Sequence, residues 1–460
     1  MSLNQVRSSN SVSERGETTS KILLSGGCVL TMGARTPNLG RGDVLIDGDR
    51  IAEVGSGLRA RDAEHIDATD TVVMPGFVDT HRHAWKSLFR NFGDRASSGD
   101  TRRPTDVGGH YRADDVYAAT LIGLLGAAEA GITTVVDCSD IPSQDGLAVA
   151  ALQAHTDSGL RTVFVHAAPN RPEHHQTTTI KKLLGRLIET AGPSTSIAFG
   201  SALPGANDPG GVREEWAVAR GLGLRIHAHA GRANSEPGAI SEAAAQGLLG
   251  EDVTLLHHVR FDVPDLDAIA SSGASVSVAP SSEMAGGLGS PPIQQLIDRD
   301  IRPGLGVDDE QLAPGDMFAQ MRATISLQHA IVFDRKLAGK AGLPRLLSTR
   351  EVIRYATVDG ARVAGLAGTT GSLEPGMQAD VIVLRTDRPN VFPINDPIGA
   401  VVWGMDTSNL DLVFVAGQIV MREGDLQADV GHARGLATTA QRRVAGAAGL
   451  AVGAAPGGAG

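Results

Sequence analysis

Two histidines, one residue apart, end the run VVMPGFVDTHRH at residues 72–83. Side chains alternate along a strand, so His81 and His83 share a face and can address a single ion. Three later runs end in similar groups. IHAHAG offers His227 and His229, LLHHV offers His257 and His258, and GLGVDDEQ offers Asp308 and Asp309. His229 lies nearer its strand end and is read as the ligand, with His227 behind it or serving as a satisfied core histidine. His257 is read as facing inward, against the competing reading of a hydrogen-bonded core histidine. Asp308 continues the inward alternation, whereas Asp309 starts the loop or caps the next helix. A carboxylate ending an apolar strand is costly unless it is paired or metal-bound, and that cost favours a functional Asp308.

Imidazoles and a carboxylate around one ion suit Zn²⁺ or Fe²⁺ better than the oxygen-seeking Ca²⁺ or Mg²⁺. Water at such an ion drops from a pKa of ~15.7 to roughly 7. Asp308 beside it can take the proton, and His257 can polarise a carbonyl or imine and steady the developing charge. The expected reaction is water attacking an sp² carbon, with an amine or ammonia leaving.

Those residues need a frame that brings distant strand ends together. Between residues 75 and 368, strand-like runs such as GITTVVDCS (131–139), RTVFVHAAP (161–169) and LRIHAHAG (224–231) alternate with helix-like ones such as ADDVYAATLIGLLGAAEA (113–130). Eight β-then-α units predict an α/β fold with a (β/α)8 TIM barrel, whose active sites lie at the carboxyl ends of the strands. Short β-rich segments at 21–74 and 369–427 predict a small β-sandwich domain assembled from both ends of the chain. Residues 1–20 read as a disordered lead, and 428–460 as a loose Gly/Ala-rich tail.

Composition narrows the class. Apolar residues make up 42% of the 460, enough for a large core, but aromatics are only 3%, so Ala, Val, Leu and Ile must build it. A net charge of −11 without a basic block argues against nucleic acid or an anionic membrane as partner. Cys28 and Cys138 are too few for a disulfide framework and read as small core residues of a reducing compartment. The polar first residues lack a signal peptide's apolar centre, and no run is long enough to span a bilayer. The expectation is a cytoplasmic enzyme with a small-molecule substrate.

In this order, MPGFVDTHRH, HAHAG, LLHH and GLGVDD resemble the amidohydrolase superfamily, nearest to its cytosine and guanine deaminases and triazine chlorohydrolases. The resemblance covers about residues 20 to 427, including the split β-domain, which GSLEPGMQADVIVL closes. It implies that His81, His83, His229 and Asp308 are metal ligands and that His257 polarises the substrate. Members with two metals carry a bridging lysine after the fourth strand; TSIAFGSALPGAND has none, which implies one divalent ion, zinc or iron. A homodimer or homotetramer is implied as well. One position departs: the deaminases' proton-relaying glutamate, three residues after the fifth-strand histidine, is replaced by Arg232. Arg232 can hold an anionic substrate group or simply face solvent, and Glu236 can reach back. Trp85, Asp140, His166, Ser281, Ser282 and Glu283 are further pocket candidates at the same barrel end.

The expected activity is mononuclear metal-dependent hydrolysis of a non-peptide C–N bond in a small, cyclic molecule, by deamination or by amide or lactam cleavage. The alternative is a lyase, isomerase or cyclase on the same scaffold, which fold alone does not separate.

Overall fold

The computed structural model describes residues 21–91, 104–141, 145–167, 177–204, 211–230, 238–257, 262–450 and 452. The first strands are β1 (Lys21–Val29), β2 (Leu39–Asp47), β3 (Arg50–Gly55), β4 (Ala63–Asp67) and β5 (Thr71–Pro75). Then come β6 (Phe77–Arg82), β7 (Ile132–Ser139), β8 (Arg161–Ala167), β9 (Thr195–Ala202), β10 (Ile226–His229), β11 (Val253–Leu256), β12 (Ser275–Val278) and β13 (Gly304–Leu305). The last are β14 (Val381–Arg385), β15 (Leu410–Val415), β16 (Gln418–Arg422) and β17 (Asp425–Leu426).

β6 to β13 pair in chain order as a parallel sheet with helices between them. Parallel strands are covered on both faces, which is why β7 and β8 are buried at every position. The two edges meet beyond the short β13. Asp308 N–H donates to His81 O at 2.7 Å, and His83 N–H donates to Asp308 O at 3.0 Å, closing the barrel. Inside, Val78, Val136, Cys138, Val165 and Leu256 share one cluster with Ala361 and Ala364. The barrel is thus a packed core and not a pore.

β5 pairs antiparallel with β14, so the two ends of the chain join in one mixed sheet running from β17 to β3, with β4 beside β1. Ile22, Val44 and Ile51 pack with Val73, Val383 and Phe414 in one core, so this sheet curls over itself. Arg161 at the start of β8 ties the two domains, donating to Asp380 Oδ2 at 2.7 Å and Gln378 Oε1 at 2.6 Å.

The predicted loose tail is corrected by a helix at Val430–Ala448. Asp429 caps it by accepting from His432 N–H, and Ala433, Ala440, Val444 and Ala445 are buried against the barrel helices. Alanine is the strongest helix former, and its small side chain lets the helix lie close. Arg443 Nε donates to Asp115 Oδ1 at 2.8 Å, and Gln441 donates to Leu88 O at 2.7 Å, fastening it beside the segment that follows His83. No helix among the described residues is long and apolar enough to cross a membrane.

The closing strand must approach β6 very closely. A Cβ on Gly306 would lie 2.9 Å from His81 Cβ, and one on Gly304 would lie 2.5 Å from Thr80 Cγ2. Gly306→Ala is therefore predicted to destabilise the chain by about 1–3 kcal/mol in urea unfolding. Gly40, with nothing within 4 Å of its would-be Cβ, is the control. Equal effects of Gly306→Ala and Gly40→Ala would refute this account of the seam.

Candidate functional site at the carboxyl rim of the barrel

Strand geometry brings the predicted groups together. His81 and His83 come from the end of β6, His229 ends β10, His257 follows β11, and Asp308 follows β13. A register shift between Asp79 and Arg82 changes the simple alternation on β6. Asp79, fully buried, accepts from Arg82 Nε at 2.7 Å and from Val307 N–H at 3.0 Å.

Asp308 Oδ1 is the focus. It lies 3.3 Å from His81 Nε2, 3.5 Å from His83 Nε2 and 3.5 Å from His257 Nε2. Bonds of ~2.1 Å to a tetrahedral ion imply ligand separations of roughly 3.4 Å, so this spacing fits a shared cation. The ligand atoms of His81, His229 and His257 also lie within 4.8 Å of one another. His81 Nε2 is buried and makes no hydrogen bond among the described residues, as a nitrogen reserved for an ion would. The donor set therefore suits a divalent metal.

Neighbouring groups aim each ring. His83 Nδ1–H donates to Cys138 O at 2.9 Å and Asp140 Oδ1 at 3.0 Å, which turns Nε2 toward the centre. His81 Nδ1 lies 3.3 Å from Cys138 Sγ, and His257 Nδ1 lies 3.2 Å from Glu283 Oε1. Ser282 Oγ–H donates to Asp308 Oδ2 at 2.6 Å. Trp85 Nε1–H donates to Asp140 Oδ1 at 2.7 Å, and its ring meets Tyr111 edge-on, so Trp85 packs the rim.

Electrostatics follows from burial and crowding. Burial, helped by charge on His257, drives His81 down to about 3, keeping its ring neutral. Burial likewise lowers His229. Burial opposes a charge on Asp308, but His257 and the hydrogen bonds outweigh it and hold the carboxyl well below its usual range. Burial also opposes a charge on His257, yet Asp308 and Glu283 push it up to about 10. Asp140 is held low mainly by His83 and Lys86 against the cost of its burial.

Other predicted residues lie around this centre. His166 is buried near the end of β8, at the same rim. Ser281 is tied through its N–H to Gln320 at 3.2 Å, and Glu283 is fully buried against His257. His227 is also fully buried, and neither ring nitrogen has a hydrogen-bond partner among the described residues. Burial lowers its pKa to about 3, so it stays neutral, and the satisfied-core reading does not describe it. Arg232, Glu236 and His258 lie outside the described residues.

The sequence reading missed Lys86 and the ring-aiming part of Cys138. Lys86 is buried, with Nζ 3.5 Å from Asp309 Oδ2 and 5.8 Å from the Trp85 ring centre. Burial works against its charge, but Asp140, Asp309 and Asp308 raise its pKa. Alternation along β7 could have placed Cys138 facing inward; nothing in sequence marked Lys86. A cleft of about 580 Å³ holds none of these groups. It lies at the opposite barrel end, lined by Arg302, Arg354, Arg362 and Thr370 among others. Chemistry, not volume, locates the centre.

A family profile described as the Amidohydrolase family matches residues 72–420. The chain is 28% identical over 425 residues to a 5'-deoxyadenosine deaminase of Methanothermobacter thermautotrophicus, covering 88% of this chain and 94% of the relative. It is 30% identical over 427 residues to a 5-methylthioadenosine/S-adenosylhomocysteine deaminase of Desulfitobacterium hafniense, covering 88% and 94%. In structure it resembles an atrazine chlorohydrolase from Arthrobacter aurescens TC1 complexed with zinc. That match has a TM-score of 0.77 at 22% identity and covers 91% of this chain and all of the other.

Asp140 aims His83 without contacting the focus itself. Asp140→Ala is predicted to weaken zinc binding by about 10- to 100-fold. Competition with a fluorescent chelator measures this, and unchanged affinity would show that His83 needs no such aid.

Proposed function

This chain belongs to the amidohydrolase family, and from that premise we propose that it is a zinc-dependent deaminase of aminated nitrogen heterocycles. Adenine nucleosides are the first substrate class to test. Metal-dependent hydrolysis of a small molecule's C–N bond is the activity that the family, the deaminase relatives and the donor set jointly support. The observation that carries the proposal is the meeting of imidazole nitrogens at 3.3–3.5 Å from Asp308 Oδ1.

In this reading His81, His83, His229 and Asp308 hold the ion and His257 stands beside it. When bound, a zinc ion supplies Lewis acidity and makes water a competent nucleophile near neutral pH. Asp308 takes a proton from the attacking water; Ser282, bonded to its Oδ2, leaves Oδ1 as the accepting oxygen. His257 polarises the ring C=N bond under attack and steadies the charge that develops there. The proton held by Asp308 then passes to the amino group. The C–N bond breaks, oxygen from water stays on carbon, and nitrogen leaves as ammonia. Arg232, in the position of the family deaminases' glutamate, anchors an anionic or strongly polar substituent. A cytoplasmic homodimer or homotetramer completes the proposal.

A panel of adenosine, 5'-deoxyadenosine, 5'-methylthioadenosine, S-adenosylhomocysteine, cytosine, guanine, aminotriazines and lactams decides between deamination and amide cleavage. Ammonia and new free amines are scored separately in ¹⁸O-water. Ammonia with label in the product is expected, and Asp308→Asn should lower that rate by about 10²- to 10⁴-fold while the fold persists. Lactam opening without ammonia would overturn deamination. An unlabelled product would overturn hydrolysis itself.

A further inference from the structure

The deaminases' relay carboxylate is replaced in this chain by Arg232, yet another carboxylate borders the centre. Glu283 is fully buried on the short helix Pro280–Ala285. Its Oε1 accepts from Ala279 N–H at 3.0 Å and lies 3.2 Å from His257 Nδ1. Its Oε2 is buried with no hydrogen-bond partner among the described residues. The other carboxylates here are committed elsewhere: Asp140 to His83 and Trp85, Asp309 to Lys86, and Asp308 to the focus.

The contact constrains the imidazole. An ionised carboxylate only accepts hydrogen bonds, so the ring nitrogen facing it must carry the hydrogen. The opposite tautomer would set a ring lone pair against a carboxylate oxygen in a buried place, leaving both unpaired. Nδ1–H therefore points to Glu283. Nε2, 3.5 Å from Asp308 Oδ1, is left as the nitrogen that faces the reaction centre.

The backbone also needs this hold. His257 has φ +54°, a left-handed conformation that is rare for a residue with a Cβ. Such a residue persists only where its surroundings over-determine it. The helix carrying Glu283 also carries Ser282, whose hydroxyl is bonded to Asp308. One six-residue helix thus braces the groups arriving from two barrel strands.

We propose that Glu283 is a positioning residue: it fixes the Nδ1–H tautomer and the ring plane of His257, so that Nε2 is the nitrogen presented to the reaction centre. The proposal deepens the deaminase reading and rests on it for what the presented Nε2 does to substrate. It assigns Glu283 to the histidine and not to substrate.

The test uses the full-length zinc-loaded protein with ring-¹⁵N histidine, and His257→Gln to identify the His257 signals. Long-range ¹H–¹⁵N spectra should show His257 protonated at Nδ1. Glu283→Gln is isosteric but a weaker, neutral acceptor, and Glu283→Ala has no acceptor at all. The Nδ1 signal should move in the first variant and move further, toward mixed tautomers, in the second. kcat should fall about 10-fold and then about 100-fold, with KM and zinc content nearly constant. Should Glu283→Ala not fold, the Gln variant is read alone. An unmoved His257 signal in Glu283→Gln, a wild-type His257 bare at Nδ1, or zinc loss in place of the kcat effect would each overturn the proposal. If no amine in the panel is a substrate, the deaminase reading fails by itself, and the spectra still decide the Glu283 contact.

Discussion

Two backbone hydrogen bonds set the geometry on which this site depends. Asp308 N–H to His81 O at 2.7 Å and His83 N–H to Asp308 O at 3.0 Å join the first and last strands of the barrel. Closure of the fold and assembly of the centre are therefore one event. The residues that seal the seam bring a carboxylate within 3.5 Å of both imidazoles on the opposite edge. An open sheet with the same strands would leave Asp308 on one outer edge and the histidine pair on the other. The glycines of GLGVDD serve this contact, since side chains at 304 and 306 would occupy space held by Thr80 and His81.

Charge has to be arranged as carefully as shape. Arg82 lies between the two histidines in sequence and points away from them, fully buried, to Asp79 at 2.7 Å and Glu310 at 3.2 Å. Glu310 in turn accepts from Ser87 at 2.8 Å and Arg90 at 3.0 Å. A buried ion costs several kcal/mol unless its partners are well placed, so such a network is weak evidence of stability. It is better evidence of positional control. Each charge behind the histidine strand has a fixed counter-charge, and the strand cannot slide without breaking several pairs. Asp137 does the same on β7, accepting from Ala84 N–H at 2.7 Å and facing His155 Nε2 at 2.8 Å.

The residues that period-two reasoning could reach were legible in sequence: His81, His83, His229, His257 and Asp308 all end apolar runs that a parallel barrel must aim at one rim. Eight repeated units made the barrel itself legible. What stayed hidden depends on contacts between strands. The register shift on β6 has no local signal, and Cys138 looks like any small core residue until the His81 ring lies against it. Trp85 and Glu283 lie at the rim with their hydrogen bonds turned to Asp140 and His257. Sequence adjacency cannot tell a residue that faces the pocket from one that faces a ligand's far side. The helix at Val430–Ala448 was obscured by composition. Its Gly and Ala content resembles a linker, while its buried Ala433, Ala440 and Val444 fall on one helical face only when drawn at 3.6 residues per turn.

Two of the groups that meet at the centre sit in left-handed backbone. Of the eight described non-glycine residues with left-handed φ, His257 at +54° and Asp308 at +62° belong to the centre. Such conformations cost of order 1–3 kcal/mol each, and aspartate and histidine are among the non-glycine residues that adopt them most often. Regular strand geometry at these positions would continue the alternation and send the next side chain across the rim. The left-handed turn instead stops each strand where its last side chain looks inward. Asp308 is held in that turn by the seam, His257 by Glu283, and both by the helix at Pro280–Ala285. The strain is therefore the local cost of ending two strands on a common point, and the packing around it prevents relaxation.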